Sequence, residues 1–164
     1  MALVDFIPSD GQRRIADAST AAERHTTGEI CVHVTPRCRG NVMKRATRTF
    51  DRLHLYTTKR RNAVLIFIAY EDRKLAILGD AGIDAVVPDG FWDCEVAELT
   101  RYLKAGRPVD GLCEIIAHMG DRLSQYFPGE RDDENELSNE VSFDDLDDDD
   151  DEILDHHDDY GNME

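Results

Sequence analysis

Apolar positions along the chain repeat with two different periods, and the switches between them mark the elements. Ile15, Ala18, Ala22 and His25 recur at steps of three and four, which predicts a helix that Ser9 or Asp10 caps and Thr27-Gly28 ends. From Glu29 the period drops to two, with Ile30, Val32 and Val34 alternating with Cys31, His33 and Thr35 up to Pro36, the pattern of a β-strand. After a loop at residues 37–41, Val42, Ala46, Phe50 and Leu53 return to helical spacing through Leu55, with Arg and Lys between them. Residues 62–70, NAVLIFIAY, are apolar and β-branched almost without interruption, as expected of a central strand covered on both faces. Glu71-Asp72-Arg73 then turns the chain into residues 74–78, which fold back most simply as an antiparallel partner ended by Gly79. A short helical turn at residues 82–87 and two long helical patterns at 91–103 and 109–127 complete the series, the last two separated by Gly106-Arg107-Pro108.

The order α-β-α-β-β-α-α places a crossover helix between the first two strands and so makes them parallel. The expected fold is α/β, a three-layer α/β/α sandwich around a small mixed sheet. If the third strand runs back against the second, its end lies beside the starts of the other two, and Glu29, Asn62 and Asp80 gather at one edge.

Charge divides the chain in a way the periodicity does not. Residues 1–128 carry 17 acidic and 18 basic side chains, a charge of +1, whereas residues 129–164 carry 18 acidic residues and Arg131 alone, a charge of −17; the formal −16 belongs to the second segment. A near-neutral body of that length can bury a core, but an acidic run cannot bury enough apolar surface to offset its ordering entropy. The expected division is an α/β/α domain at 1–128 followed by a largely disordered acidic tail at 129–164. No stretch approaches the 18 or more apolar residues of a membrane helix, and the N-terminal residues lack the features of a secretory signal, so a cytoplasmic location without a membrane span is expected. Cys31, Cys38, Cys94 and Cys113 match neither a zinc knuckle nor a redox pair and read as reduced thiols.

Candidate chemistry concentrates in two places. In Gly79-Asp80-Ala81-Gly82-Ile83-Asp84 two carboxylates stand four residues apart in a glycine-bearing loop, where carboxylate and carbonyl oxygens suit a hard cation such as calcium or magnesium. Asn62 and Glu29 could complete that metal site, while the competing reading makes Asp80 the cap of the short helix that follows. The second place is basic: nine of the body's eighteen Lys and Arg residues fall between Arg37 and Arg61. Without interleaved aromatic residues or a recognition signature this patch does not favour nucleic acid, but it suits an anionic partner, or an intramolecular contact between the acidic tail and the basic helix 41–55. The rule that ligands favour the carboxyl ends of parallel strands points instead to residues 36–41. In the tail, residues 144–151 and His156-His157 offer diffuse cation binding without preorganised geometry. The chain carries no phosphate-cradling GxxxxGK[ST] loop, GxSxG elbow or HExxH helix, so no catalytic nucleophile is designated.

Taken in order, AERHTTGEICVHV, TTKRRNAVLIFIAYEDRKLAILGDAGI, FW, GLCEIIAHMGDRLSQYFP and NELSNEVS resemble the TPM domain family, named for thylakoid-lumen, photosystem-repair and receptor-regulator proteins, and most of all its small soluble bacterial members. The resemblance spans residues 7–142. It implies an α/β/α sandwich, a divalent-cation site near loops at a sheet edge, usually for calcium, and an acid phosphatase activity. Together these readings make the chain a divalent-cation-binding interaction module whose metal residues are Asp80, Asp84, Asn62 and Glu29, with an unidentified protein partner. A metal-assisted acid phosphatase-like hydrolase using the same cation is the first alternative. A scaffold that meets an anionic partner through the basic helix 41–55 is the second.

Overall fold

The computed structural model of the chain describes residues 2–129 and 137–145. A short helix α1 (Leu3–Phe6) precedes α2 (Ser9–Ala22), whose last turn tightens into a 3-10 turn at Glu23–His25 before β1 (Glu29–Thr35) begins. Asn41 caps α3 (Val42–Arg52), its side chain accepting the Lys44 backbone N–H at 3.0 Å. Strands β2 (Ala63–Ala69) and β3 (Lys74–Gly79) form the expected hairpin, followed by the single turn α4 (Ala81–Asp84), then α5 (Asp93–Lys104) and α6 (Pro108–Tyr126). Proline at the start of α6 costs no helical hydrogen bond there, because the first N–H groups of a helix have no partner in the helix.

The sheet order is β3-β2-β1-β4. Strands β1 and β2 are parallel from Glu29 opposite Ala63 to Thr35 opposite Ala69, and β3 is antiparallel to β2 from Val64 opposite Gly79 to Ala69 opposite Lys74. The fourth strand, β4 (Ser142–Phe143), runs parallel to β1 with His33 opposite Ser142 and Val34 opposite Phe143. The sequence pattern did not predict it. Residues 142–143, within the segment expected to be acidic tail, pair with β1, and the expectation of disorder for 130–136 and 146–164, with the cation reading for His156-His157, lies outside the described residues.

Helices cover both faces, as the three-layer reading requires. On one face Ile30, Val32, Val34, Val64, Ile66 and Ile68 meet Ile15 of α2, Leu99 of α5 and Ile115, Ile116, Met119 and Leu123 of α6. Trp92 and Phe91 also join that core. On the other face Cys31, Leu65, Phe67 and Ala76 meet Ala46 and Phe50 of α3. Every residue of β1 and β2 is buried, which explains the unbroken apolar run of β2 and makes the polar half of β1 conspicuous. Among the described residues no helix is long and apolar enough to cross a membrane, and the four cysteines are free.

The hairpin end is held close by Gly82. Its backbone N–H donates to the Arg61 carbonyl at 2.8 Å, and a Cβ there would run into the Arg60 carbonyl oxygen and come within 2.7 Å of that of Arg61. Gly82→Ala is therefore expected to cost about 2–3 kcal/mol. Urea unfolding should show this as a lower midpoint at unchanged slope.

Candidate functional site

The amino end of the parallel strands is where the hairpin brings the predicted residues together. The Glu29 backbone N–H donates to the Asn62 carbonyl at 3.3 Å, and the Asp80 N–H donates to the Ala63 carbonyl at 2.9 Å. Asp80, Asn62 and Glu29 are 6%, 1% and 3% exposed, so none is an ordinary surface polar residue.

Their side chains do different work. Asp80 accepts Arg61 Nε at 2.7 Å and Nη2 at 2.8 Å, and its Oδ1 also accepts the Ala81 N–H at 2.7 Å. It is a helix cap held by a bidentate ion pair, the role that the capping alternative assigned to it. Asp84 lies one turn further on, exposed, its carboxyl pushed up by partial desolvation and by the charges of Asp80 and Asp89. Asn62 donates from Nδ2 to Thr27 Oγ1 at 3.0 Å, while its buried Oδ1 has no hydrogen-bond partner among the described residues. An amide oxygen left dry and unpaired costs free energy that a ligand could recover.

Glu29 belongs to a second group that the sequence reading missed. Its Oε1 accepts the Leu137 backbone N–H at 2.6 Å. Glu23, in the 3-10 turn after α2, reaches back so that its Oε2 accepts the Ile30 N–H at 2.8 Å, and Asn139 also hydrogen-bonds it. Burial, followed by the charge of Glu29, pushes the Glu23 carboxyl up to about 8. The same burial and the two glutamates push the Cys31 thiol up to about 12, so Cys31 stays protonated and is no nucleophile at neutral pH. Two acidic side chains thus stand close enough at the start of β1 for the charge of one to raise the carboxyl of the other. Only the six-residue spacing of Glu23 and Glu29 across the helix-to-strand turn hinted at this pairing.

At the opposite end of β1 the balance of charge is reversed. Asp144, just past β4, faces His33 Nε2 at 2.7 Å and accepts the Thr35 hydroxyl at 2.7 Å, with Arg45 Nη2 at 3.5 Å and Arg52 Nη1 at 3.7 Å. A carboxylate can only accept, so Nε2 of His33 carries the proton and Nδ1 is left to meet the Ser142 hydroxyl at 2.7 Å. Arg45 is 1% exposed; it also donates to the Arg37 carbonyl at 3.1 Å and stands 5.9 Å over the Phe67 ring. Among the described residues Asp144, largely buried, is a carboxylate through which the acidic segment meets the basic helix. Beyond it Pro36, Arg37, Glu71 and Asp145 line an open cleft of about 410 Å³ at the carboxyl ends of β1, β2 and β4.

A third cluster lies between α5 and α6. His118 meets Glu98 through Nδ1 at 3.1 Å and Glu114 through Nε2 at 3.2 Å. These ligand atoms all fall within 4.8 Å of one another, close enough for one metal ion, although both ring nitrogens are already taken by carboxylates.

The model of the TPM domain matches residues 3–122. The chain belongs to the TPM domain family. This TPM domain also resembles the solution structure of the BA42 protein from the psychrophilic bacterium Bizionia argentinensis, with 37% identity and a TM-score of 0.80 over 87% of this chain and 99% of that one. No curated protein matches it.

Removing this largely buried carboxylate should cost far more than removing a surface one, because His33 and the Thr35 hydroxyl would lose the acceptor that they share and Arg45 a nearby negative charge. Asp144→Ala is expected to lose about 2–4 kcal/mol, measured by urea unfolding, against under about 0.5 kcal/mol for the neighbouring, exposed Asp145→Ala. Glu23 has a pH signature. Its folded value of about 8 lies above the ordinary 4.5, so the folded state holds a proton that the unfolded chain releases. Its contribution to stability is complete below pH 4.5 and is lost as pH rises through about 8. Glu23→Gln should flatten the fall in stability between those two pH values, as followed by chemical unfolding.

Proposed function

We propose that this TPM domain is a divalent-cation-binding interaction module that holds its ion at the amino end of the parallel strands. The observation that carries this reading is the pair of acidic side chains at the start of β1, Glu29 buried and Glu23 half-buried behind it, where burial and then the charge of Glu29 push the Glu23 carboxyl up to about 8. All the groups on offer are oxygens, which favours calcium or magnesium over a softer transition metal.

Ligand duty falls unequally on the four residues predicted from sequence. Glu29 and Asn62 are suited to it, the first as a buried carboxylate and the second through its unpaired Oδ1. Glu23 joins Glu29. Asp80 is committed to Arg61 and to α4, so a cation there would have to displace a bidentate guanidinium; Asp80 and Asp84 then act by adding negative charge at the same edge. When bound, the ion supplies the positive charge that the proton on Glu23 supplies in its absence. Leu137 N–H, held by Glu29, ties the state of this pair to the segment that carries β4. That connection is what would make cation binding readable by a partner.

Isothermal titration of the full chain with calcium and with magnesium tests the reading, run at about 0.15 M salt so that diffuse attraction to the acidic residues is screened. The expected result is a saturable site that tightens by at least about fivefold between about pH 6.5 and about pH 8.5 and releases a proton on binding, seen as heat that depends on the buffer. Glu29→Gln should weaken that site by more than about tenfold. Binding that ignores both pH and Glu29→Gln would place the ion elsewhere and sink the assignment.

A further inference from the structure

The slot that receives Asp144 has the makings of a recognition site. Its donors come from two layers of the fold: His33 and Thr35 point from one face of β1, and Arg45 and Arg52 reach down from α3. Arg45 and His33 are 1% and 2% exposed, so the slot's donors are preorganised and largely out of water, where a carboxylate is bound far more strongly than at the surface. The chain itself displays what the slot accepts, an extended segment lying parallel to β1 with a carboxylate directly after the paired residues.

Apart from that carboxylate the cis occupant is held by the Ser142 hydroxyl at His33, by the Leu137 N–H at Glu29 and by Val141 and Leu137 against the two cores, while its strand pairing is short. Only two residue pairs join β4 to β1, the Asp144 N–H adds one further ladder bond to the Val34 carbonyl at 3.1 Å, and Phe143 is 61% exposed. Next to it, β1 is a sheet edge along which another extended segment can add by the same backbone bonds. We propose that the edge of β1 with the His33, Thr35, Arg45 and Arg52 slot is a docking site for an extended acidic segment of a partner protein, and that the chain's own residues 137–145 occupy it as a built-in competitor. Specificity at the slot comes from the carboxylate, with Leu137 and Val141 of the cis segment packing apolar surface beside it. The tether gives the competitor an effective concentration in the millimolar range, so a partner segment gains the site when Asp144 is withdrawn or when it is itself presented at high local concentration. This inference does not depend on the cation reading, since it rests on the other end of β1.

A fluorescein-labelled peptide with the sequence of residues 137–147, added to the full-length protein, tests it by anisotropy. In an Asp144→Lys variant, whose new charge is repelled by Arg45 and Arg52, the peptide should bind saturably and at least about tenfold more tightly than to the unsubstituted chain. The same peptide carrying Asn in place of its Asp144 should not bind. Equal binding to both proteins, equal binding of both peptides, or no binding to a variant that is folded by circular dichroism would overturn the proposal. If the variant does not fold, amide exchange of the unsubstituted chain decides: excess peptide should speed exchange at Asp144 and Phe143 as the cis segment is displaced, and unchanged exchange would equally overturn it.

Discussion

Strand β1 places Glu29, Cys31, His33 and Thr35 on one face of a sheet that shields all seven of its residues from water, and most of the molecule's unusual features answer the cost of that placement. An ionised or hydrogen-bonding group taken out of water loses several kcal/mol unless the protein replaces what solvent gave it. The chain replaces it in two ways. At the carboxyl end His33 and Thr35 receive Asp144, itself steadied by Arg45 and Arg52. At the amino end Glu29 accepts a backbone N–H from Leu137 and lies beside Glu23, whose carboxyl is pushed up by burial and by the charge of Glu29.

Both solutions draw on residues 137–145, and this explains why an acidic segment with little apolar content returns to the body. Its two-residue strand contributes few ladder bonds. Leu137 and Val141 pack against the two cores, and polar contacts fasten it on either side: Leu137 and Asn139 at the glutamates, and Asp144 some five to seven residues later at the arginines. A segment fastened at two charged ends connects the glutamates and the Arg45 slot through one stretch of backbone.

Hydrophobic periodicity made most of the architecture legible. The alternation of Ile30, Val32 and Val34 and the nine-residue run ending at Tyr70 could be read as strands from local pattern alone, and their parallel pairing followed from the helix between them. β4 could not be found in this way. Ser142-Phe143 has no alternation long enough to register, and its reason to pair lies in a contact between Asp144 and Arg45, residues far apart in the chain whose attraction has no periodic signature. The candidate site was half legible for a similar reason. Hairpin topology brought Glu29, Asn62 and Asp80 to one edge, but whether an aspartate coordinates an ion or caps a helix depends on where its neighbours' donors fall. At Asp80 that donor is Arg61, whose guanidinium is placed by a backbone at φ 52°. Glu23 looked like one more polar position on a helical surface, and only the burial of Glu29 beside it gives it chemistry.

The central claim is that the buried glutamate pair at the start of β1 is the cation site of this TPM domain. Amide NMR of the full chain during a calcium titration tests it most directly. The account predicts saturable shifts centred on Glu23, Glu29, Ile30, Asn62 and Leu137, with smaller changes carried along residues 139–145. Shifts confined to Glu98, Glu114 and His118, or to the acidic run after Asp145 without saturation, would contradict it.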